Sequence, residues 1–243
     1  MKISKHIPNL LTSLNLTCGF IAIIMAFNPN MLMFAPYLVF IAAVFDFSDG
    51  FAARMLKAYS ELGKQLDSMA DMVSFGVAPG IIAYQMIQIA FNPYIHTNNL
   101  VWLLSYIIPA LIPVFSALRL AKFNIDERQT NSFIGLPTPG SAILISSLAL
   151  VLFNSSNIAL QFIISNPYII STVIVLDCIL MVSELPMFSL KLKSLSFKEN
   201  LTQYIFLLIS LVLIIAFQFY ALPLIIGVFI IESLVVYIFT LKR

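Results

Sequence analysis

Charged residues are scarce in this chain. Only 10% of its 243 residues are Asp, Glu, Lys or Arg, whereas 60% are hydrophobic, and the mean hydropathy is +0.99. Soluble domains carry about 25% charged residues, so the composition excludes an ordinary soluble protein. The net charge of +2 is too small to indicate nucleic acid as a partner, because nucleic-acid binding needs a basic surface.

Cysteine and histidine are also rare. Cys18 and Cys178 are far apart and lie inside apolar runs, so we interpret them as small buried hydrophobic residues rather than as a disulfide or a metal site. His6 and His96 are expected at the surface. The sequence shows no internal repeat, no low-complexity segment and no soluble extension. Together these absences favour a single membrane domain over residues 1–243.

Long apolar runs fill most of the chain. A membrane-spanning helix needs about 20 mostly apolar residues, and turn-forming residues separate runs of that kind. The predicted spans are 8–27, 32–55, 68–91, 100–122, 139–154, 167–187, 203–220 and 222–240. We therefore predict an all-α, polytopic integral membrane protein with about eight transmembrane helices.

The positions of the 13 Lys and Arg residues predict the orientation of these spans. They are Lys2 and Lys5; Arg54, Lys57 and Lys64; Arg119, Lys122 and Arg128; Lys191, Lys193 and Lys198; and Lys242 and Arg243. With eight spans, all of them fall on one side of the membrane. Loops rich in Lys and Arg face the cytoplasm, so we expect both termini to be cytoplasmic in a multi-pass protein of the cell membrane.

The acidic residues are concentrated in one stretch, DFSDGFAARMLKAYSELGKQLDSMAD, at residues 46–71. Its four aspartates are Asp46, Asp49, Asp67 and Asp71. At 3.6 residues per turn, the first two share a helix face with Gly50, and the last two share a face with Gly63. Two antiparallel helices joined by a short loop would therefore present four carboxylates to one space at the membrane surface.

Four carboxylates without partners would repel one another, and only one Arg and two Lys lie in this stretch. Oxygen ligands suit hard cations such as Mg²⁺, Mn²⁺ or Ca²⁺, and pairs of such ions recur in phosphoryl chemistry. We therefore predict that the aspartates hold divalent metal. A solvated loop is the alternative, and we accept it for Lys57, Glu61 and Lys64. It does not suit Asp46 and Asp49, which lie near or inside the membrane boundary, where ionisable groups are costly.

The spacing of these residues resembles the signature of the CDP-alcohol phosphotransferase family. The pattern is Asp46-x2-Asp49-Gly50-x2-Ala53-Arg54-x8-Gly63-x3-Asp67-x3-Asp71, and every fixed position is present. Softer matches resemble the bacterial and archaeal phosphatidylserine synthase branch of the family. They are PNLLTSLNLTCGFIAI at 8–23, DMVSFGVAPG at 71–80, LRLAKFN at 118–124 and GLPTPGSA at 135–142.

The resemblance implies a reaction in which an alcohol attacks the β-phosphorus of a CDP-linked lipid and releases CMP. It implies that Asp46, Asp49 and Asp67 hold two ions, Mg²⁺ or Mn²⁺, and that Asp71 is both a metal ligand and the general base. The implied contacts to the CDP-lipid are Asn9, Thr12, Gly50, Arg54, Ser60 and Gly63. It further implies a homodimer, with a family core over about 8–187 and two C-terminal helices over about 203–240.

The resemblance favours CDP-diacylglycerol and L-serine as substrates, within a membrane of lipid. Arg119 and Lys122, at the end of the fourth span, are candidates to bind the serine carboxylate, and Arg suits a bidentate contact. Cations at a helix C-terminus also suit the helix dipole and the membrane surface, so this alternative stays open. Ser74, on the face of the aspartates, is a further candidate for the serine pocket.

Other functions stay open at this point. The acceptor could instead be glycerol 3-phosphate, inositol phosphate or choline, although a phosphorylated acceptor should call for more basic residues. A cation transporter is the alternative from another class, but transporters place such groups near the bilayer midplane between repeated halves. The intramembrane acids Asp177, Glu184 and Glu232 are expected to form buried hydrogen bonds with neighbouring helices.

Overall fold

A computed structural model describes residues 6–95, 99–126, 133–188 and 200–241, and these residues are mostly helical. The helices are α1 (Ile7–Ala26), α2 (Ala35–Met55), α3 (Glu61–Asp71), α4 (Ala78–Ile95), α5 (Asn99–Ile125), α6 (Thr138–Asn154), α7 (Ile158–Ile164), α8 (Pro167–Val182), α9 (Leu201–Phe217) and α10 (Ala221–Leu241). Two short strands, β1 (Phe133–Ile134) and β2 (Pro186–Met187), pair antiparallel. The predicted all-α class is confirmed.

Several of these helices are long and apolar enough to cross a membrane. Five such stretches occur in the described residues, at Ile7–Ala26, Leu32–Met55, Glu61–Phe91, Asn99–Ile125 and Leu201–Ile238. Helices α7 and α8, bent by 59° relative to each other, form a sixth if they count as one broken span. The polytopic class is confirmed, whereas the count of eight spans stays a prediction.

The last apolar stretch contains two helices that fold back on each other. A 3₁₀ turn over Gln218–Tyr220 separates α9 from α10, and Gln218 has a φ of 52°. The ring centroids of Phe206 and Phe229 lie 5.9 Å apart. In one straight helix, residues that far apart in sequence would be about 35 Å apart. The two predicted C-terminal spans are therefore separate, antiparallel helices.

The connection between α2 and α3 is short and defined by local contacts. Lys57 has a φ of 50°, which turns the chain after α2. Ser60 then caps α3, because its hydroxyl accepts a hydrogen bond from the Gly63 N–H at 3.0 Å. Helix α3 begins at Glu61, before the predicted span that starts at 68. Hydropathy did not indicate the earlier start because the first turns of the helix are polar.

A π-helical turn over Met72–Val77 links α3 to α4, and α1 packs against α2, α3 and this turn. The contact with the turn depends on Gly19, because a Cβ at this position would lie 2.7 Å from the Ser74 Cα. Isolated π-helical turns are rare and frequently mark functional sites. Because Gly19 of α1 packs directly on Ser74 of this turn, α1 has a fixed register against the helices that carry the aspartates.

The described cations gather at one end of the helices. Asn124, near the end of α5, donates to the Ser68 hydroxyl of α3 at 2.9 Å, and Lys122 donates to the Val182 carbonyl at the end of α8 at 3.3 Å. These contacts place Arg119 and Lys122 at the same end as the α2–α3 loop, as the orientation prediction requires. Which end is cytoplasmic stays a prediction. The other cations, Lys2, Lys5, Arg128, Lys191, Lys193, Lys198, Lys242 and Arg243, lie outside the described residues, as does His96.

The three intramembrane acids have different surroundings. Asp177 is buried and accepts a hydrogen bond from Ser141, which links α8 to α6 as predicted. The Glu232 Oε2 atom is buried without a hydrogen-bond partner among the described residues, so the predicted hydrogen bond is not found there. Glu184 is exposed just beyond the end of α8, so the prediction that it is buried is wrong.

Candidate active site

Three of the four predicted metal ligands converge where α2 faces α3. Carboxylate oxygens of Asp46, Asp49 and Asp67 lie within 4.8 Å of one another. Asp49 is 6% exposed, and the Oδ1 atom of Asp67 is buried with no hydrogen-bond partner in the described part of the chain. Carboxylate oxygens are the ligands that Mg²⁺ and Mn²⁺ prefer. The donor set and the unpartnered Asp67 oxygen therefore fit a divalent metal ion.

Asp71 lies one helical turn beyond Asp67 and is 8% exposed. It is close enough to Asp46 and Asp67 to interact with them electrostatically. Its Oδ1 atom accepts a hydrogen bond of 3.0 Å from the side-chain amide of Asn15. The fourth predicted ligand is therefore beside the cluster, and a neutral donor from α1 holds one of its oxygens.

Helix α1 also reaches Asp49. The Thr12 hydroxyl lies 2.6 Å from the Asp49 Oδ2 atom and 3.0 Å from the Pro8 carbonyl oxygen. Thr12 is 3% exposed, so this contact is shielded from water. Thr12, one of the predicted contacts to the CDP-lipid, is thus hydrogen-bonded to Asp49, a predicted metal ligand.

A cavity of about 550 Å³ adjoins the carboxylates, since Asp49 and Asp67 line it. Five of the six predicted CDP-lipid contacts line the same cavity: Asn9, Thr12, Gly50, Ser60 and Gly63. Arg54 is not among the lining residues, although its Nη1 atom would lie 3.7 Å from a Cβ added to Gly50. Glu61 and Lys64, interpreted from sequence as solvated loop charges, also line the cavity.

The two glycines of the signature have different surroundings. A Cβ at Gly63 would lie 3.0 Å from the Ser60 hydroxyl and 3.1 Å from the Asn9 Oδ1 atom, so protein packing already crowds this position. A Cβ at Gly50 would have the Arg54 Nη1 atom as its nearest neighbour, at 3.7 Å. Protein packing therefore does not require glycine at position 50, and the free space there belongs to the cavity.

A second cavity, of about 350 Å³, lies between the ends of α5 and α8. Its lining includes Arg119, Lys122, Asp126, Ser183 and Glu184. Arg119 is 3% exposed, and its Nε atom has no hydrogen-bond partner among the described residues. The guanidinium lies over the Phe123 ring, 5.3 Å from its centroid, a cation–π contact. Two predicted acceptor ligands, Arg119 and Lys122, thus share one cavity.

Ser74, the third predicted acceptor ligand, lies elsewhere. It is fully buried, and its hydroxyl donates to the Asn15 backbone carbonyl at 2.9 Å. It is not among the residues that line either cavity. This position ties the π-helical turn to α1, and a contact between Ser74 and serine stays a prediction.

Asn15 is the site residue that the sequence analysis missed. It is fully buried and hydrogen-bonded to Asp71. The signal was present, because Asn9, Thr12 and Asn15 recur every third position in a mostly apolar helix. Polar groups inside a spanning helix are functional candidates in their own right, and this spacing puts them along one face.

Comparisons with known proteins show the family to which the chain is similar. Residues 5–183 match the model of the CDP-alcohol phosphatidyltransferase family. A CDP-diacylglycerol–serine O-phosphatidyltransferase of Helicobacter pylori is 32% identical over 239 residues, which cover 97% of this chain and 92% of the relative. One from Bacillus subtilis is 38% identical over 135 residues, 56% of this chain and 70% of the relative. An archaetidylserine synthase of Methanothermobacter thermautotrophicus is 35% identical over 151 residues, 61% of this chain and 60% of the relative. The chain therefore belongs to the CDP-alcohol phosphatidyltransferase family.

Proposed function

We propose that this protein transfers the phosphatidyl group of CDP-diacylglycerol to the hydroxyl of L-serine, giving phosphatidylserine and CMP. The observation that carries the proposal is the cluster of Asp46, Asp49 and Asp67 at the edge of the 550 Å³ cavity. The relatives from Helicobacter pylori and Bacillus subtilis are named for this reaction, which supports serine as the acceptor.

The larger cavity is the proposed site of the CDP-lipid. Asn9 and Ser60 offer hydrogen-bonding groups, Gly50 leaves room for close approach, and Lys64 supplies a cation in the lining. Because Asp49 and Asp67 lie at the edge of the cavity, a diphosphate bound there comes next to the carboxylates. The lipid chains would extend into the bilayer from the same end of the helices.

The four aspartates would hold two divalent cations, Mg²⁺ or Mn²⁺. Asp46, Asp49 and Asp67 have oxygens within 4.8 Å of one another, and Asp71 lies beside them. When bound, the cations would neutralise the diphosphate and make CMP a better leaving group. The protein's own part is to hold the carboxylates in place through contacts such as that of Thr12 with Asp49.

Asp71 is the proposed general base. The serine hydroxyl oxygen forms a bond to the β-phosphorus, its proton passes to the Asp71 carboxylate, and the bond from that phosphorus to the CMP oxygen breaks. A serine hydroxyl is a weak nucleophile at neutral pH, and a positioned base contributes about 10²–10⁴-fold to the rate. The low exposure of Asp71, 8%, keeps this proton transfer away from bulk water.

The second cavity is the proposed acceptor pocket. Arg119 lines it, and a buried guanidinium with an unpartnered Nε suits a bidentate contact with the serine carboxylate. The hydrogen bond between Asn124 and Ser68 holds the end of α5 beside the helix that carries Asp71. Asp126 and Glu184 line the same cavity. These carboxylates would attract the serine ammonium group and disfavour the greater negative charge of a phosphate, which favours zwitterionic serine over glycerol 3-phosphate or inositol phosphate as the acceptor.

The proposed setting is the cytoplasmic face of the cell membrane, with the protein as a homodimer. CDP-linked lipid is a membrane component, whereas serine and CMP are water-soluble, so the site must reach both phases. The end of the helices where Arg54, Lys57, Arg119 and Lys122 gather meets this requirement, and cations at a membrane surface favour the cytoplasmic side.

The test is CMP release from CDP-diacylglycerol by the purified protein with Mn²⁺ or Mg²⁺ and a panel of alcohols. Release with serine that disappears in the Asp71→Asn variant is the expected result. The elution profile and unfolding temperature of the variant should match those of the parent protein. Release with a different alcohol alone would overturn serine as the acceptor, and no release with any alcohol would overturn the transfer reaction itself.

A further inference from the structure

We infer that Asn15 is a positioning residue that fixes the carboxylate of Asp71 for proton transfer. The inference rests on the proposed function, in which Asp71 is the general base. Its geometric basis is the hydrogen bond of 3.0 Å from the Asn15 side-chain amide to Asp71 Oδ1. Both residues are buried, with exposures of 0% and 8%, so water does not compete strongly for this contact.

The backbone of Asn15 is itself held in place. Its carbonyl oxygen accepts a hydrogen bond from the Ser74 hydroxyl at 2.9 Å. Ser74 in turn packs so closely on Gly19 that a Cβ at position 19 would lie 2.7 Å from the Ser74 Cα. Ser74 follows Asp71 by one turn, so the same segment carries the base and the anchor of its partner. Helix α1 therefore cannot slide past Asp71 without breaking these contacts.

The chemistry of the amide suits this role. A neutral N–H stabilises and orients a carboxylate without adding the positive charge that Lys or Arg would bring, which would compete with bound cations. An ionised carboxylate has about four lone-pair sites on its two oxygens. Among the described residues, Asn15 is the side chain that donates to Asp71, and it occupies Oδ1. The remaining sites of the carboxylate are left for the substrate hydroxyl and a cation.

The other end of the Asn15 amide argues against a purely structural role. Its Oδ1 atom is buried with no hydrogen-bond partner in the described part of the chain. A buried, unpaired carbonyl oxygen is unfavourable, and an apolar side chain at this position would avoid that cost. Asparagine at this position is therefore explained by what its N–H does for Asp71 rather than by packing.

The test compares Asn15→Leu with Thr17→Val. Leucine has the branched shape of asparagine and the same number of side-chain heavy atoms but removes the donor, whereas Thr17 is an exposed residue of α1 whose hydroxyl donates to the Ser13 carbonyl. Asn15→Leu should lower kcat by about 10–100-fold, a part of what a general base contributes. Its KM for each substrate, unfolding temperature and stoichiometry of CDP-diacylglycerol binding with Mn²⁺ should stay unchanged. Thr17→Val should match the parent protein in every measurement.

A second comparison separates positioning from folding. In the Asp71→Asn background, where turnover is expected to be lost, the Asn15→Leu change should not weaken the binding of CDP-diacylglycerol with Mn²⁺, because residues that act through one another are not additive. Weaker lipid binding in the double variant, a lower unfolding temperature of the single variant, or an unchanged kcat would each overturn the inference. Any alcohol that supports turnover serves for these measurements, so an error in the acceptor alone leaves the test intact. Absence of turnover with every alcohol would overturn both proposals.

Discussion

The Thr12 hydroxyl lies 2.6 Å from the Asp49 Oδ2 atom, in a contact that joins α1 to α2. One turn further along α1, Asn15 donates to Asp71 of α3, and one turn earlier Asn9 lines the larger cavity. A single face of α1 thus meets the larger cavity, a predicted metal ligand and the proposed base. The first helix is therefore a part of the site, in addition to its place in the membrane.

Thr12→Val should weaken metal binding while leaving the fold intact. Valine has the shape of threonine but lacks the hydroxyl that donates to Asp49, and the loss of such a partner of a metal ligand typically costs about 10–100-fold in metal affinity or activity. We expect the Mn²⁺ concentration for half-maximal CMP release to rise by about that factor. Thr17→Val on the exposed side of the same helix is the control. An unchanged Mn²⁺ dependence in Thr12→Val would show that the hydrogen bond from Thr12 does not affect metal binding by Asp49.

Removal of metal should stop turnover reversibly. The carboxylates of Asp46, Asp49 and Asp67 come within 4.8 Å of one another, and without cations they would repel a diphosphate rather than bind it. CMP release should therefore cease after treatment with a chelator and return when Mg²⁺ or Mn²⁺ is added. Asp67→Asn, which removes the charge at the ligand with an unpartnered buried oxygen, should need much more metal for the same rate. Full activity in chelator would contradict the metal site.

The convergence of the aspartates followed from sequence alone, because helical periodicity determines which side chains share a face. Asp46 and Asp49 lie on one helix, Asp67 and Asp71 on the next, and the short connection between them leaves little choice of arrangement. The apolar runs predicted the helices for a similar reason, since a bilayer allows few other structures. The start of α3 at Glu61 could not be predicted from hydropathy, since its first turns are polar.

The contacts of α1 could not be derived from periodicity within one helix. The match of Asn15 to Asp71 depends on the depth at which α1 packs on α3. That depth is set by the close approach of Gly19 to Ser74, residues far apart in the chain. The second cavity depends in the same way on the meeting of α5 with α8. Such register between helices is a property of tertiary packing, which a pattern in a single segment does not contain.

Gly50→Ala should separate stability from substrate binding. Apart from the neighbouring residues and backbone of its own helix, the added methyl group would have no protein atom closer than 3.7 Å, and alanine in a helix interior is favoured over glycine by up to about 1 kcal/mol. The unfolding temperature should therefore stay level or rise. The same methyl group occupies space in the cavity, so we expect the KM for CDP-diacylglycerol to increase about tenfold, equivalent to about 1.4 kcal/mol.

Gly63→Ala is the matched comparison for Gly50→Ala. Its methyl group would lie 3.0 Å from the Ser60 hydroxyl and 3.1 Å from Asn9 Oδ1, so it should disturb the cap of α3 and lower the unfolding temperature. An unfolding temperature that stays level or rises in Gly50→Ala but falls in Gly63→Ala would support the proposal that substrate occupies the free space at Gly50. A lower unfolding temperature in Gly50→Ala, with an unchanged KM for the lipid, would contradict it.

Arg119→Lys should impair the use of serine selectively. Lysine keeps the positive charge but cannot form the two parallel hydrogen bonds that a guanidinium makes with a carboxylate. We expect the KM for serine to rise about 10–100-fold, which corresponds to about 1.4–2.7 kcal/mol. The KM for CDP-diacylglycerol should not change, because Arg119 lines the second cavity and not the one beside Asp49 and Asp67.

An acceptor without a carboxylate provides the control for this prediction. Ethanolamine has the hydroxyl and ammonium groups of serine but no carboxylate, so we expect its rate of turnover to be the same in the parent protein and in Arg119→Lys. The measurement is CMP release over a range of each alcohol at saturating lipid. An equal loss with serine and ethanolamine would show that Arg119 stabilises the end of α5 through Phe123, 5.3 Å away, and does not bind the acceptor. A loss confined to serine requires a contact that only the carboxylate can make.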